Sequence, residues 1–145
     1  MAAQVLARES HSPQETEKIA ADLAATLAGG DCIALRGELG AGKTCFVRGL
    51  AAGLGANPRS VSSPTFILLN IYSGGRLTLY HLDAYRTHGP EDFAGIGFSE
   101  LLEQGGIVAV EWAERIESLL PARRIDIMLK ALDEQSRRIE IARPG

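Results

Sequence analysis

Gly37-Glu38-Leu39-Gly40-Ala41-Gly42-Lys43-Thr44 follows the apolar run Cys32 to Leu35 with only Arg36 between them. It fits the pattern G-x-x-x-x-G-K-[S/T] at every defined position. The chemistry requires this order. Glycines admit positive φ, so successive N–H groups can turn inward around one anion. A helix starting at the same place adds its unpaired N–H groups and the positive end of its dipole. Lys43 then reaches the outer phosphates of a nucleotide, and the Thr44 hydroxyl is placed to ligate Mg²⁺. The plainer alternative, a glycine-rich turn with a solvated lysine, does not account for the apolar strand before the loop and the helical pattern after it. The expected cradle is Gly37, Gly40, Ala41, Gly42, Lys43, Thr44 and Cys45. Cys45 itself has two readings: a thiol activated by the helix start, or a small buried hydrophobe, which is the commoner case.

Working outward, Ser12-Pro13-Gln14-Glu15 is a helix start, with Ser12 as cap, Pro13 at the first helical position and Glu15 completing a capping box. Ile19, Leu23 and Leu27 recur every fourth residue, predicting a helix that runs to Gly29-Gly30. Cys32 to Leu35 reads as a buried strand. Thr44 to Leu54 reads as a helix with Phe46, Val47 and Leu50 inward and Gly53 or Gly55 as its stop. The runs Phe66 to Tyr72 and Leu77 to Leu82, separated by Ser73-Gly74-Gly75-Arg76, have hairpin spacing. Glu91 to Gln104 is partly helical, broken near Gly95 and Gly97, and Ile107 to Val110 is a second all-apolar strand. Ala113 to Leu120 should be helical up to Pro121. Ile125 to Leu132 and Arg138 to Ala142 close the chain as an antiparallel pair around Asp133-Glu134. This alternation predicts an α/β fold, a P-loop NTPase-type three-layer sandwich with central parallel strands and antiparallel strands at the margins.

With 145 residues and no internal repeat, low-complexity tract or linker, the chain reads as one domain, 1–145. A formal net charge of −3 argues against a domain that holds nucleic acid by charge alone. The N-terminal residues contain no apolar stretch of signal-peptide length, and the longest uncharged run, Ser60 to Gly75, is too polar for a membrane span. The two cysteines give neither a disulfide framework nor metal spacing. The expected setting is the cytoplasm, with no membrane partner.

A triphosphate loop works with Mg²⁺, whose second protein contact is often a carboxylate ending a neighbouring apolar strand. Glu111 closes GIVAVE on a strand expected beside Thr44 and is the expected metal ligand with it. Asp83 closes LTLYHLD, either as a ligand through water or as the group orienting the attacking water. Thr65, in SSPTF, is a switch contact to the terminal phosphate or the start of a strand. Trp112, the only tryptophan, follows Glu111, and strand alternation would point it away from that carboxylate. Arg86 is a surface charge or a contact to phosphate or a partner. For His81 the pattern offers no partner.

GELGAGKT, SSPTFILLNIY, LYHLDAYR and VEWAER, in that order and at this chain length, resemble the TsaE family, the small P-loop ATPases of bacterial tRNA threonylcarbamoyladenosine synthesis. IGFSELL fits the same pattern, and the similarity spans nearly the whole chain. The resemblance implies ATP and Mg²⁺ as ligands, slow ATP hydrolysis, and association with the TsaB–TsaD complex. That complex transfers a threonylcarbamoyl group to an adenosine beside the anticodon of ANN-reading tRNAs. It further implies that Lys43 and Thr44 hold phosphate and Mg²⁺, that Glu111 is the second metal ligand, that Asp83 and Thr65 support hydrolysis, and that Trp112 belongs to the functional VEW motif. No sharp motif marks the base-contacting region; the segment near Pro13 and the hairpin near Gln135 are its candidates. The acidic balance makes any tRNA contact indirect, through partners.

Three rival readings compete for the same motif. A small-molecule kinase needs lid and acceptor insertions, for which the stretch between Thr44 and Glu111 has little room. A GTPase switch needs NKxD, which is missing, as is DxxG after the second strand. A regulatory module that binds ATP without hydrolysis stays open on sequence alone.

Overall fold

The structure, a computed structural model, describes residues 4–38, 41–56, 61–62, 68–83 and 98–144. Eight strands form one sheet in the order β1-β8-β7-β2-β6-β5-β4-β3. These strands are β1 Gln4–Ser10, β2 Cys32–Arg36, β3 Val61–Ser62, β4 Leu68–Tyr72, β5 Leu79–Asp83, β6 Ile107–Glu111, β7 Ile125–Ala131 and β8 Arg137–Arg143. The strands β7, β2, β6 and β5 are parallel neighbours, while β1, β8, β4 and β3 join antiparallel at the two margins. Among the described residues the helices are α1 Pro13–Ala24, α2 Lys43–Gly53 and α3 Phe98–Glu103, with a 3-10 helix over Ala113–Leu119.

The central strands are buried on both faces, which is why they read as unbroken apolar runs. In β2, Ile33 and Leu35 pack under α1 and α2, while Cys32 and Ala34 pack on the opposite side with Ala113, Ile116 and Leu120. In β7 only alternate residues, Ile125, Ile127 and Leu129, are buried, and Met128 and Lys130 are exposed. One face of that half of the sheet therefore carries the core. Helices α1 and α2 meet at backbone distance. A Cβ on Gly49 would stand 2.3 Å from the Glu17 carbonyl oxygen, and one on Gly53 would stand 2.5 Å from that of Ala21. Gly53 is thus a packing residue, and the stop after α2 is Gly55, at φ 77°.

Several sequence expectations are corrected. The first helix begins as expected, with Ser12 Oγ accepting from Glu15 N–H at 3.1 Å and Glu15 Oε1 accepting from His11 N–H at 3.1 Å. It ends at Ala24, short of the diglycine, because the chain tightens into i→i+3 bonds and the Thr26 hydroxyl donates back to the Leu23 carbonyl at 2.7 Å. Ala113–Leu119 is 3-10, with Ile116 at φ −128° and ψ 32°. Its apolar residues 113, 116 and 119 recur every third position, the period of a 3-10 helix, and they face the second core cluster. Strand β1 was not expected at all. It is an edge strand with Val5 67% and Leu6 50% exposed, so no buried face marks it in the sequence. Within Glu91 to Gln104, helix Phe98–Glu103 is present and 91–97 lie outside the described residues.

Candidate functional site

The site gathers at the carboxyl ends of β2, β6 and β5, around the start of α2. Gly37 has φ 148°, and a Cβ there would stand 2.5 Å from the Leu129 carbonyl oxygen, so no other residue fits the turn out of β2. Gly42 occupies the N-cap of α2 in the left-handed region, φ 98° and ψ 17°, and no side chain caps the helix. The first intrahelical bond runs from Phe46 N–H to the Gly42 carbonyl. The amides of Lys43, Thr44 and Cys45 therefore precede the helical ladder and face the loop, an arrangement suited to an anion.

Lys43 is buried, its residue only 5% exposed. Its Nζ donates to the carbonyls of Gly37 and Glu38, spanning the loop, and lies 3.7 Å from the centroid of the Trp112 ring. Burial lowers the pKa of this amine, while the carboxylates of Glu111, Glu114 and Asp83 oppose that shift. Thr44 Oγ1 lies 3.5 Å from both carboxylate oxygens of Glu111. That separation is long for a strong hydrogen bond. Two oxygens each ~2.1 Å from one Mg²⁺ at a right angle lie about 3 Å apart, so the pair suits a shared hard cation after little adjustment. Among the described residues no group of three or more His, Cys, Asp or Glu side chains could cage a metal.

Asp83 and Glu111 are register partners on the parallel strands β5 and β6, so the two acids stand side by side at the strand ends. The expectation that His81 lacks a partner is overturned: its Nε2 lies 2.5 Å from Glu111 Oε2, and both side chains are 6% exposed. Sequence parity held the signal. His81 and Asp83 share one face of β5, the register aligns them with Ala109 and Glu111 of β6, and the small Ala109 leaves room for the imidazole. Trp112 has left the strand at φ 58°, so alternation does not set its direction, and its ring covers Lys43.

On the other flank of α2, the two candidate base-contacting segments converge. Cys45 Sγ donates to the Pro13 carbonyl at 3.2 Å, and His11 Nδ1 lies 3.2 Å from Ser136 Oγ in the β7–β8 turn. Arg137 clasps that turn through bonds to the carbonyls of Asp133 and Ser136, and its Nε would stand 3.8 Å from a Cβ on Gly42. Burial and the nearby Glu17 push the Cys45 thiol up despite Arg48 and Arg137, which supports the inert reading. Gly40, Thr65 and Arg86 lie outside the described residues.

A cavity of about 720 Å³ borders the loop beside Gly37, Glu38 and Trp112, but Met128, Leu129 and Ala131 line its far wall. A polyphosphate gains nothing from that apolar wall; the side suited to an anion is the amide side, at the start of α2. Arg36 does not reach it. Its guanidinium is engaged by Glu117 at 2.8 Å and Asp126 at 3.4 Å on the other side of the sheet.

A parallel sheet whose glycine loop opens on a helix N-terminus, with a lysine spanning the loop and a threonine facing a strand-end carboxylate, defines a P-loop protein. A family profile described as "Threonylcarbamoyl adenosine biosynthesis protein TsaE" matches residues 10–139. Similar proteins named "tRNA threonylcarbamoyladenosine biosynthesis protein TsaE" include one from Treponema pallidum, 44% identical over 92% of this chain and 97% of its own length. The Bacillus subtilis relative of the same name is 41% identical over 92% of this chain and 83% of its own. The crystal structure of Bacillus subtilis YdiB superposes with a TM-score of 0.81 at 35% identity, covering 100% of this chain and 89% of that one. The chain belongs to the TsaE family. Among the described residues no helix is long and apolar enough to cross a membrane.

Proposed function

We propose that the protein is a Mg²⁺-dependent ATPase that hydrolyses ATP slowly and serves threonylcarbamoyladenosine modification of tRNA together with a TsaB–TsaD complex. The observation that carries this reading is the uncapped start of α2 at left-handed Gly42, with Lys43 across the loop and Thr44 facing Glu111.

The amides of Lys43, Thr44 and Cys45 receive the phosphate chain, and Lys43 exchanges its bonds to the Gly37 and Glu38 carbonyls for phosphate oxygens. Thr44 and Glu111 would hold the metal, which would supply charge neutralisation to the phosphate oxygens. Asp83, beside Glu111, orients the water that attacks the γ-phosphorus in line as the bond to the β–γ bridging oxygen breaks. Pro13 and the turn around Gln135 flank the base. Among the described residues Lys43 is the cation that spans the loop, and Arg137 beside Gly42 is engaged with the Asp133 and Ser136 carbonyls, so turnover is slow alone and accelerates in the assembled complex. With a net charge of −3, the chain meets tRNA through its partners.

Replacing Lys43 tests the reading. Lys43→Ala should weaken ATP binding by about a hundredfold, the equivalent of roughly 2.8 kcal/mol, with the far-ultraviolet circular dichroism unchanged. Retained affinity in a folded variant would remove the cradle from the account.

A further inference from the structure

His81 and Glu111 form a buried pair that the phosphate cradle does not require. Glu111 must present an oxygen to a metal, yet the terminal torsion of a glutamate is broad and nearly two-fold, so a carboxylate alone does not fix which oxygen faces Thr44. A carboxylate oxygen accepts, so Nε2 of His81 donates to Oε2 of Glu111 at 2.5 Å. That bond ties down Oε2 and with it the plane of the carboxylate, and leaves Oε1 free of His81 to meet a metal, both oxygens standing 3.5 Å from the Thr44 hydroxyl.

The ring has no other polar commitment. His81 Nδ1 is buried and finds no hydrogen-bond partner among the described residues. A histidine kept for core stability would be expected to satisfy both nitrogens, since leaving one unpaired works against folding. Packing does not demand a histidine here either. His81 stands between Ala109 of β6 and Asn70 of β4 on the same face as the fully buried Leu79, and an apolar side chain would pack against Ala109 and Leu79 as well. What the imidazole supplies, and a leucine could not, is an N–H aimed at Glu111.

We infer that His81 is a positioning residue for the metal: it orients the Glu111 carboxylate and thereby sets the affinity of the site for a divalent cation, without touching nucleotide. The inference rests on the reading of Glu111 as a metal ligand. It belongs with the general behaviour of groups hydrogen-bonded to metal ligands, whose removal lowers metal affinity by roughly 10–100-fold.

The test measures Mn²⁺ binding in the presence of ADP by electron paramagnetic resonance, and ADP binding in EDTA by the fluorescence of Trp112. His81→Phe keeps a flat ring and removes the donor; His81→Leu removes it with a smaller side chain and serves if the phenylalanine variant does not fold. His81→Gln returns an N–H near the Nε2 position. The donorless variant should lose Mn²⁺ affinity by about 10–100-fold and keep its metal-free ADP affinity within about twofold. The glutamine variant should recover most of the loss. A folded donorless variant with Mn²⁺ affinity within about threefold of the native protein, or one that loses metal-free ADP binding in equal measure, overturns the role of His81. Glu111→Gln separates the two levels. If it leaves Mn²⁺ affinity unchanged, the assignment of Glu111 fails and His81 falls with it. If it abolishes Mn²⁺ binding while the His81 variants do not weaken it, only the inference about His81 fails.

Discussion

The start of α2 has two flanks built on opposite principles. On the phosphate flank most working groups are withdrawn from solvent: Lys43, His81 and Glu111 are each 5% exposed and Asp83 is half-buried, carried by strand ends and the first turn of the helix, where only Thr44 is exposed. On the base flank, His11, Ser136 and Arg137 are exposed or half-buried and sit on turns from the two ends of the chain. Burial strengthens an electrostatic contact and raises the penalty for leaving it incomplete. Exposure leaves each contact screened and individually weak. The phosphate flank should therefore lose much to single substitutions, and the base flank little.

The widest gap is expected at Asp83. Asp83→Ala should leave ATP binding nearly intact and lower phosphate release by about 10²–10⁴-fold, the range for a group that positions or deprotonates a reacting water. Unchanged phosphate release would remove Asp83 from the chemistry and leave the phosphate flank a binding site only.

Gly49→Val attacks the comparison from the scaffold. A side chain there meets the Glu17 carbonyl oxygen at 2.3 Å, so α1 must move away from α2. Overpacking of this kind costs about 1–3 kcal/mol, readable as a shift in the urea midpoint. Because α1 carries Pro13 and follows His11, the base flank should be displaced while Thr44 and Glu111 stay in place. ATP affinity should fall more than Mn²⁺ affinity does in the presence of pyrophosphate. Equal losses would mean that the flanks are one mechanical unit.

The same contrast explains what the sequence disclosed. Central strands buried on both faces appear as short apolar runs, so Cys32 to Leu35 and Ile107 to Val110 were legible, as was the position of Glu111 beside Thr44. The glycine loop is contiguous and reads directly from the sequence, with 39–40 outside the described residues. His81 was not legible, because its partner lies on another strand and is found only through register. The flank proposed for the base is marked in the sequence only by two loose candidates, since turn residues far apart in the chain meet there through the β1–β8 pairing. Strand β1 itself, exposed at the sheet edge, has its pairing fixed from the other end of the chain.

Arg137 gives a smaller effect with a distinctive signature. It clasps the turn Asp133–Ser136 through bonds of 2.7 Å and 2.9 Å to the Asp133 and Ser136 carbonyls, with its guanidinium beside Gly42. Being half-buried, it should contribute less than tenfold to ATP affinity, on the scale of partly screened charge contacts. Arg137→Ala should also flatten the salt dependence of binding. A loss as large as that of Lys43→Ala would abolish the distinction between the flanks.

The smallest expected effect is the sharpest probe of the base flank, because it changes order without removing a contact to ligand. Ser12 Oγ accepts from Glu15 N–H at 3.1 Å, and the Ser12 carbonyl accepts from the Ser10 hydroxyl at 2.8 Å, so the β1–α1 turn is held by its own side chains. Ser12→Ala removes the cap and should cost about 1 kcal/mol in urea denaturation. If the turn around Pro13 helps to select the base, the same variant should narrow the preference for ATP over GTP while leaving the affinity for inorganic triphosphate unchanged. A narrowed preference with triphosphate binding intact would place base selection on that turn. An unchanged preference in the destabilised variant would move base selection entirely to the β7–β8 turn.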